Sequence, residues 1–195
     1  MPLDRPGDAC QALRMAQPPT IHHLVINVSD VDRGVYEVLD LRIARHPSET
    51  MRYMLTRVLA YALSYEEGIA FSKGGISSPE EAPISIHDAT GILTAWIDIG
   101  SPSAERLHKA SKAARKVALF TTADLAVLRR DAAARPIHKA DQLAIWWLDP
   151  KFIEALEAVV GRDTAMELVH TDGQLYVTVA GKVIEGKVTR ESLVA

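Results

Sequence analysis

One cysteine, Cys10, occurs in the 195 residues, so an internal disulfide framework and any cysteine-based zinc cluster are excluded. No run of apolar residues approaches the length of a membrane span, which leaves a chain expected to be soluble and, by default, cytoplasmic. The opening MPLDRPGDACQALRMAQPPT has prolines and charges but no continuous apolar stretch, so it does not read as a secretory signal. It reads as a flexible N-terminal extension over 1–19, followed by a single domain over 20–195. Neither a glycine-rich phosphate loop nor a GxSxG elbow is found, and the seven histidines have no metal-ligand spacing. Internal repeats and low-complexity tracts are also lacking.

A net charge of −3 argues against coating nucleic acid by bulk attraction. The distribution is uneven, however. Between Arg106 and Lys139 stand nine basic residues (Arg106, Lys109, Lys112, Arg115, Lys116, Arg129, Arg130, Arg135 and Lys139) against Asp124 and Asp131, a local excess of seven positive charges. Such a segment offers a polyanion a place to dock; solvated helix faces have the same composition.

TIHHLVINVSD and YEVLDLRIAR read as two strands paired through a turn at Asp30 to Gly34, with Leu39, Leu41 and Ile43 on the inner face of the second. In HPSETMRYMLTRVLAYALSY the apolar residues fall three or four apart from Met51 to Leu63, which predicts a helix with Pro47 and Ser48 at its start. Residues 73–83, rich in glycine, serine and proline, read as a loop. ISIHDATGILTAWIDIG reads as a hairpin turning at DATG, and pairing Asp88 with Gly91 sets Glu81 opposite Asp98. Ser101 and Pro102 start a helix running to about Arg115; KVALFT and LAIWWL are buried strands, and ADLAVLRRDAAA and the segment 150–160 are helices. Alternation of strand and helix implies parallel strands joined by crossovers. The DG and AGK turn signals of ELVHTDGQLYVTVAGKVIEG predict antiparallel hairpins after them.

The strand ending WIDIG lacks one residue that matters. An acid, a spacer and a lysine at a strand end are a common pattern for metal-assisted phosphodiester cleavage, and here the strand delivers Asp98, Ile99 and Gly100. Asp98 shares a face with Thr94 and Trp96, beside the turn, and is the best single candidate for a magnesium ligand. Glu81 is the natural second strand acid. Asp88 fits a turn better and could join a metal site only in another register. Glu49, Tyr53 and Arg57, spaced by four, align an acid, a phenol and a guanidinium on one helical strip; Glu49 also suits a helix N-terminus through the macrodipole. His46 is a candidate general base. On the following helix Arg106, Lys109, Ala113 and Lys116 share a face, and the Lys109 stem, reaching roughly 6 Å, could bring its ammonium into the space of the missing strand lysine.

Taken together, IARHPSET (43–50), WIDIGSPSAERLHKA (96–110) and DVDR (30–33) resemble the bacterial YaeQ family over about Thr20 to Val188. The resemblance implies a variant PD-(D/E)XK nuclease-like fold: an α/β protein with a mixed β-sheet flanked by helices and extra C-terminal antiparallel strands. It also implies Glu49 as the helix acid, Asp98 as a strand acid usually present as glutamate, and Lys109 as the lysine displaced onto the helix, with Glu81 in the acidic EEAP stretch. The expectation is a Mg- or Mn-dependent phosphodiesterase acting on nucleic acid. Glu49, Glu81 and Asp98 are the metal ligands; Lys109 assists the attacking water; Arg57, Arg106 and Lys112 position phosphates. The alternative is a nuclease-fold module that binds nucleic acid or a protein partner without cutting.

Overall fold

A computed structural model describes residues 18–72 and 80–193. Most of the expected N-terminal extension, and residues 73–79 of the expected loop, lie outside the described residues. In chain order the elements are β1 (Thr20–Asp30), β2 (Val35–Arg45), α1 (Met51–Leu63), β3 (Ile69–Phe71), β4 (Ile84–His87), β5 (Leu93–Ile99), α2 (Ala104–Ala113), β6 (Lys116–Thr121), α3 (Leu125–Ala134), β7 (Ala144–Leu148), α4 (Pro150–Glu157), β8 (Asp163–Thr171), β9 (Gln174–Val179) and β10 (Lys182–Glu191). The strands form one mixed sheet in the order β2-β1-β8-β9-β10-β7-β6-β5-β4-β3. This is an α/β protein with a large mixed sheet flanked by helices, and none of its described helices is long and apolar enough to cross a membrane.

Local chemistry accounts for most boundaries. The Thr50 hydroxyl accepts the Tyr53 amide at 3.2 Å, so Thr50 is the cap of α1, and Pro47 and Ser48 precede the helix. Likewise Ser103, and not Ser101, caps α2 by accepting the Arg106 amide at 3.2 Å. The two-residue turns Asp172-Gly173 and Ala180-Gly181 have positive φ throughout (49° and 71°, 49° and 80°), the geometry that closes tight hairpins.

Periodicity then sets the layers. Met54, Leu55, Val58, Leu59, Ala62 and Leu63 of α1 are buried together with Phe152, Ile153 and Leu156 of α4, against inward residues from strands across the sheet. On the opposite face α2 and α3 cover only β5, β6 and β7, through Leu107, Ala110 and Leu125 packed on Trp96, Leu119 and Ile145. Strands β5, β6 and β7 are parallel, as their helical crossovers require, whereas β8, β9 and β10 form antiparallel hairpins.

The β4–β5 register differs from the sequence expectation. Asp88 hydrogen-bonds to Ile92 across the turn, and a bulge at Ile86/His87 shifts the ladder once more, so that Ile84 faces Ile97. Glu81 therefore does not sit opposite Asp98; the chain there has already left the strand.

Gly186 allows α4 to pack onto β10. A Cβ at Gly186 would lie 2.2 Å from Cγ of the buried Phe152 ring, nearer than nonbonded atoms can approach. Gly186→Ala is expected to lower the urea-unfolding free energy by about 1–3 kcal/mol, the usual cost of an overpacked core.

Candidate functional site

The chain leaves β5 through Gly100, whose φ of 82° favours glycine and whose missing Cβ would lie 3.5 Å from the Tyr53 ring. A lysine at this position would strain the backbone, because its φ lies in the left-handed region. Tyr53 therefore stands against the strand end where the expected lysine would have been.

Asp98 is 2 % exposed and fully engaged. Arg106 Nε donates to both carboxylate oxygens at 2.9 Å, and Trp96 Nε1 donates to Oδ2 at 2.9 Å. The same guanidinium donates through Nη2 to the Glu81 carbonyl at 2.9 Å and lies 5.5 Å from the Trp96 ring centroid. Arg106, one turn into α2, thus occupies the place beside the strand acid that the sequence suggested for Lys109. Lys109 instead forms an ion pair with Glu80 on the surface. The difference follows from helix geometry: Lys109 lies three positions further along α2, about one turn beyond Arg106, which is the residue that meets the end of β5.

Glu49 is 3 % exposed and precedes the cap of α1. Its carboxylate lies 3.0 Å (Oε1) and 3.2 Å (Oε2) from Arg57 Nη2, and Oε2 also accepts the His46 amide at 3.2 Å. Burial pushes the Glu49 carboxyl above its usual range, opposed by Arg57, by the His46 amide and by Arg45. Its Oε1 has the charge of Arg57 nearby but no aligned hydrogen bond. Arg57 is itself buried, with its guanidinium 5.2 Å from the Phe71 ring centroid. Tyr53, one turn from each, has its phenol pushed up to about 12, first by burial and then by Asp98, with Glu49 adding and the two arginines opposing. Tyr53 thus feels all four charges, and the strip Glu49, Tyr53, Arg57 faces the pair Asp98 and Arg106.

The side chains of the remaining candidates have other engagements. Glu81 accepts the Ser72 hydroxyl at 2.6 Å. Asp88 holds its own turn by accepting Thr90 N, Thr90 Oγ1 and Ile92 N, which lower its pKa with the Thr90 side chain foremost. Exposed Lys112 in the last turn of α2 complements the helix dipole. Nδ1 of His46 is engaged with Ser48. Among the described residues no three His, Cys, Asp or Glu side chains are grouped so as to hold a metal.

Sequence reading missed the job of the DVDR stretch. Asp30 is fully buried; Oδ1 accepts His170 Nδ1 at 2.9 Å and the Arg33 amide at 3.2 Å. Asp32 accepts the Asp172 and Gly173 amides of the β8–β9 turn. Arg33 donates to the carbonyls of Leu63 and Tyr65 at 2.6 and 2.8 Å, closing the C-terminal end of α1. The motif ties two hairpin turns and a helix together; its partner His170 is 140 residues away, and nothing local signals it.

A mixed α/β sheet protein with a buried acid–arginine cluster at the C-terminal end of a parallel strand is the class defined so far. The YaeQ protein family model matches residues 15–188, and the chain belongs to that family. It is 31 % identical over 166 residues to the YaeQ protein of Escherichia coli K12, covering 84 % of this chain and 91 % of that one. With YaeQ of Salmonella typhi the identity is 30 % over 176 residues, covering 90 % and 97 %. Among solved structures, the YaeQ protein of Pseudomonas syringae superposes with a TM-score of 0.81 at 30 % identity, covering 91 % of this chain and 98 % of that one. That from Xanthomonas axonopodis pv. citri gives 0.80 at 27 %, covering 89 % and 98 %.

Arg106→Met leaves Asp98 buried without its cation and is expected to cost on the order of 3 kcal/mol in chemical denaturation, with Asp98→Asn in the same chain recovering part of the loss. In ultraviolet titration the Tyr53 phenolate should appear only near pH 12, and Asp98→Asn should lower that midpoint because one opposing carboxylate is gone. The sign for stability follows: the folded phenol titrates above its unfolded value of 10.0, so the stability it contributes is complete below pH 10 and is lost as pH rises toward 12.

Proposed function

We propose that this chain is a PD-(D/E)XK nuclease-like protein that acts on nucleic-acid phosphodiesters with a magnesium or manganese ion. The observation that carries this reading is the convergence on Tyr53 of two buried carboxylates from separate elements, Glu49 before α1 and Asp98 at the end of β5, each held by an arginine. The residues fit such an ion in part. Glu49 Oε1 is a buried acceptor without an aligned donor, and Mg²⁺ commonly takes one or two carboxylates with substrate phosphate and water completing its shell. Asp98 fits once Arg106 moves away.

A bound ion would supply Lewis-acid stabilisation of phosphoryl charge and a more acidic water. The chain's own residues account for the rest. Arg57 and Arg106 neutralise the two acids while no substrate is present; Arg106, the more accessible of the two arginines, is the one that would exchange its carboxylate for a phosphate. Exposed Lys112 extends the cationic face of α2, and Lys109, paired with Glu80, would have to leave that acid to assist the attacking water. The Glu81 carbonyl accepts from the same guanidinium, which sets the EEAP stretch beside Arg106.

One observation favours a second reading, a scaffold that binds nucleic acid or a protein without cutting. Both acids already carry internal cations, and Gly100 replaces the strand lysine. Metal dependence separates the two. Calorimetric titration of Mn²⁺ into the protein with a short oligonucleotide present should show binding that is lost in Asp98→Asn, and cleavage should stop with chelator. Nucleic-acid binding that persists unchanged in chelator, without cleavage, would support the scaffold.

A further inference from the structure

At the other end of α1, about 20 Å from Glu49 by helix rise, the sheet is left uncovered. Two adjoining hollows open there, of about 510 Å³ and about 280 Å³, sharing Arg33, Leu63, Trp146 and Arg190. The helix stops at Leu63, and beyond it partly buried Ala118 and Trp146 of the neighbouring strands, with buried Ala95, line the floor of the larger hollow.

The lining has two chemical halves. Trp146 is the partly exposed ring of the wall; buried Phe120 stacks behind it, with centroids 6.2 Å and planes 22° apart, and buried Leu63 and Val188 pack beside them. Arg115, Lys116 and Arg190 line the rim, are exposed, and have side chains with no hydrogen-bond or ion-pair partner among the described residues. Arg33 is already occupied by the carbonyls of Leu63 and Tyr65. Two acids also line the hollows. Asp32 is committed to the Asp172 and Gly173 amides and to His170, which leaves Glu66 as the acid set against three uncommitted cations.

We propose that this groove is a second ligand site, distinct from the Glu49–Asp98 cluster, that takes a mononucleotide: a planar base against Trp146 and a phosphate against Arg190, Arg115 and Lys116. Cation and ring are both needed by this chemistry, since phosphate alone would use only the rim and an apolar ring only the wall. The dimensions fit a single nucleotide, because small-molecule sites span roughly 300–1,000 Å³. Single-stranded nucleic acid uses the same pairing of cations with aromatic rings but extends it along a continuous track, whereas here the aromatic lining is confined to Trp146 and Phe120. The site does not depend on whether the other end of α1 cuts phosphodiesters.

The test titrates adenosine monophosphate and, separately, inorganic phosphate into the full chain, following tryptophan fluorescence and heat. Expected are saturable binding of the nucleotide, binding of phosphate weaker by about tenfold or more, and a loss of about tenfold for the nucleotide in each of Arg190→Glu and Lys116→Glu, two exposed positions where charge reversal leaves the core intact. Lys182→Glu, a charge reversal at an exposed position outside the groove, should bind the nucleotide as the parent does. The proposal is overturned if the nucleotide does not saturate at millimolar concentration, if phosphate binds as well as the nucleotide, or if Arg190→Glu and Lys116→Glu both leave binding unchanged.

Discussion

A carboxylate removed from water must be paired, and this constraint organises the end of the sheet where Asp98 and Glu49 lie. Asp98 is buried because β5 is covered on both faces, by α1 and by α2. Its charge is sustainable only because α2 starts close enough to bring Arg106 alongside. Glu49 is in the same position with Arg57, a helix residue that would ordinarily face solvent and here is 4 % exposed. Neither arginine can be removed without leaving an uncompensated charge inside the protein. The placement of α1 and α2, the cap residues that start them and the turn at Gly100 all serve this double pairing.

Helix α1 connects the two chemically distinct ends of the molecule. Its first residues hold Glu49 and Tyr53 against the end of β5; its last carbonyls are held by Arg33, which Asp30 and His170 fix from the other half of the sheet. The buried stripe between them, from Met54 to Leu63, spans the parallel and antiparallel parts of one core. Displacement of α1 at one end would therefore be resisted by polar contacts at the other. The fold has one long lever with an acid–arginine cluster at its start and an aromatic–cationic groove beyond its end.

Most of the architecture was legible in the sequence because it rests on local signals. Alternation in β2, the three-and-four spacing of α1, and the DG and AGK turns each place an element without reference to anything distant. What could not be read depends on tertiary geometry. The β4–β5 ladder slipped because a bulge and a longer turn are invisible to a rule that pairs DATG symmetrically. Lys109 seemed the replacement for the strand lysine because both it and Arg106 lie on one helix face; which of the two overhangs Asp98 is decided by where Ser103 caps the helix. Alternation along β5 places Trp96 on the face of Asp98, and only the folded strand end reveals the indole donating to it. The polar strip Glu49, Tyr53, Arg57 was seen in the periodicity, yet its burial was not.

The central claim is that the two arginines stand in for a cation at a site built from Glu49 and Asp98. The most direct measurement is diffraction at the manganese absorption edge from crystals grown with Mn²⁺ and an oligonucleotide carrying a non-hydrolysable phosphorothioate. An anomalous peak in contact with Glu49 and Asp98 is expected, with Arg106 withdrawn from Asp98 and turned to a phosphate. A complex in which Arg106 keeps both Asp98 oxygens, and no manganese lies beside either acid, would contradict it.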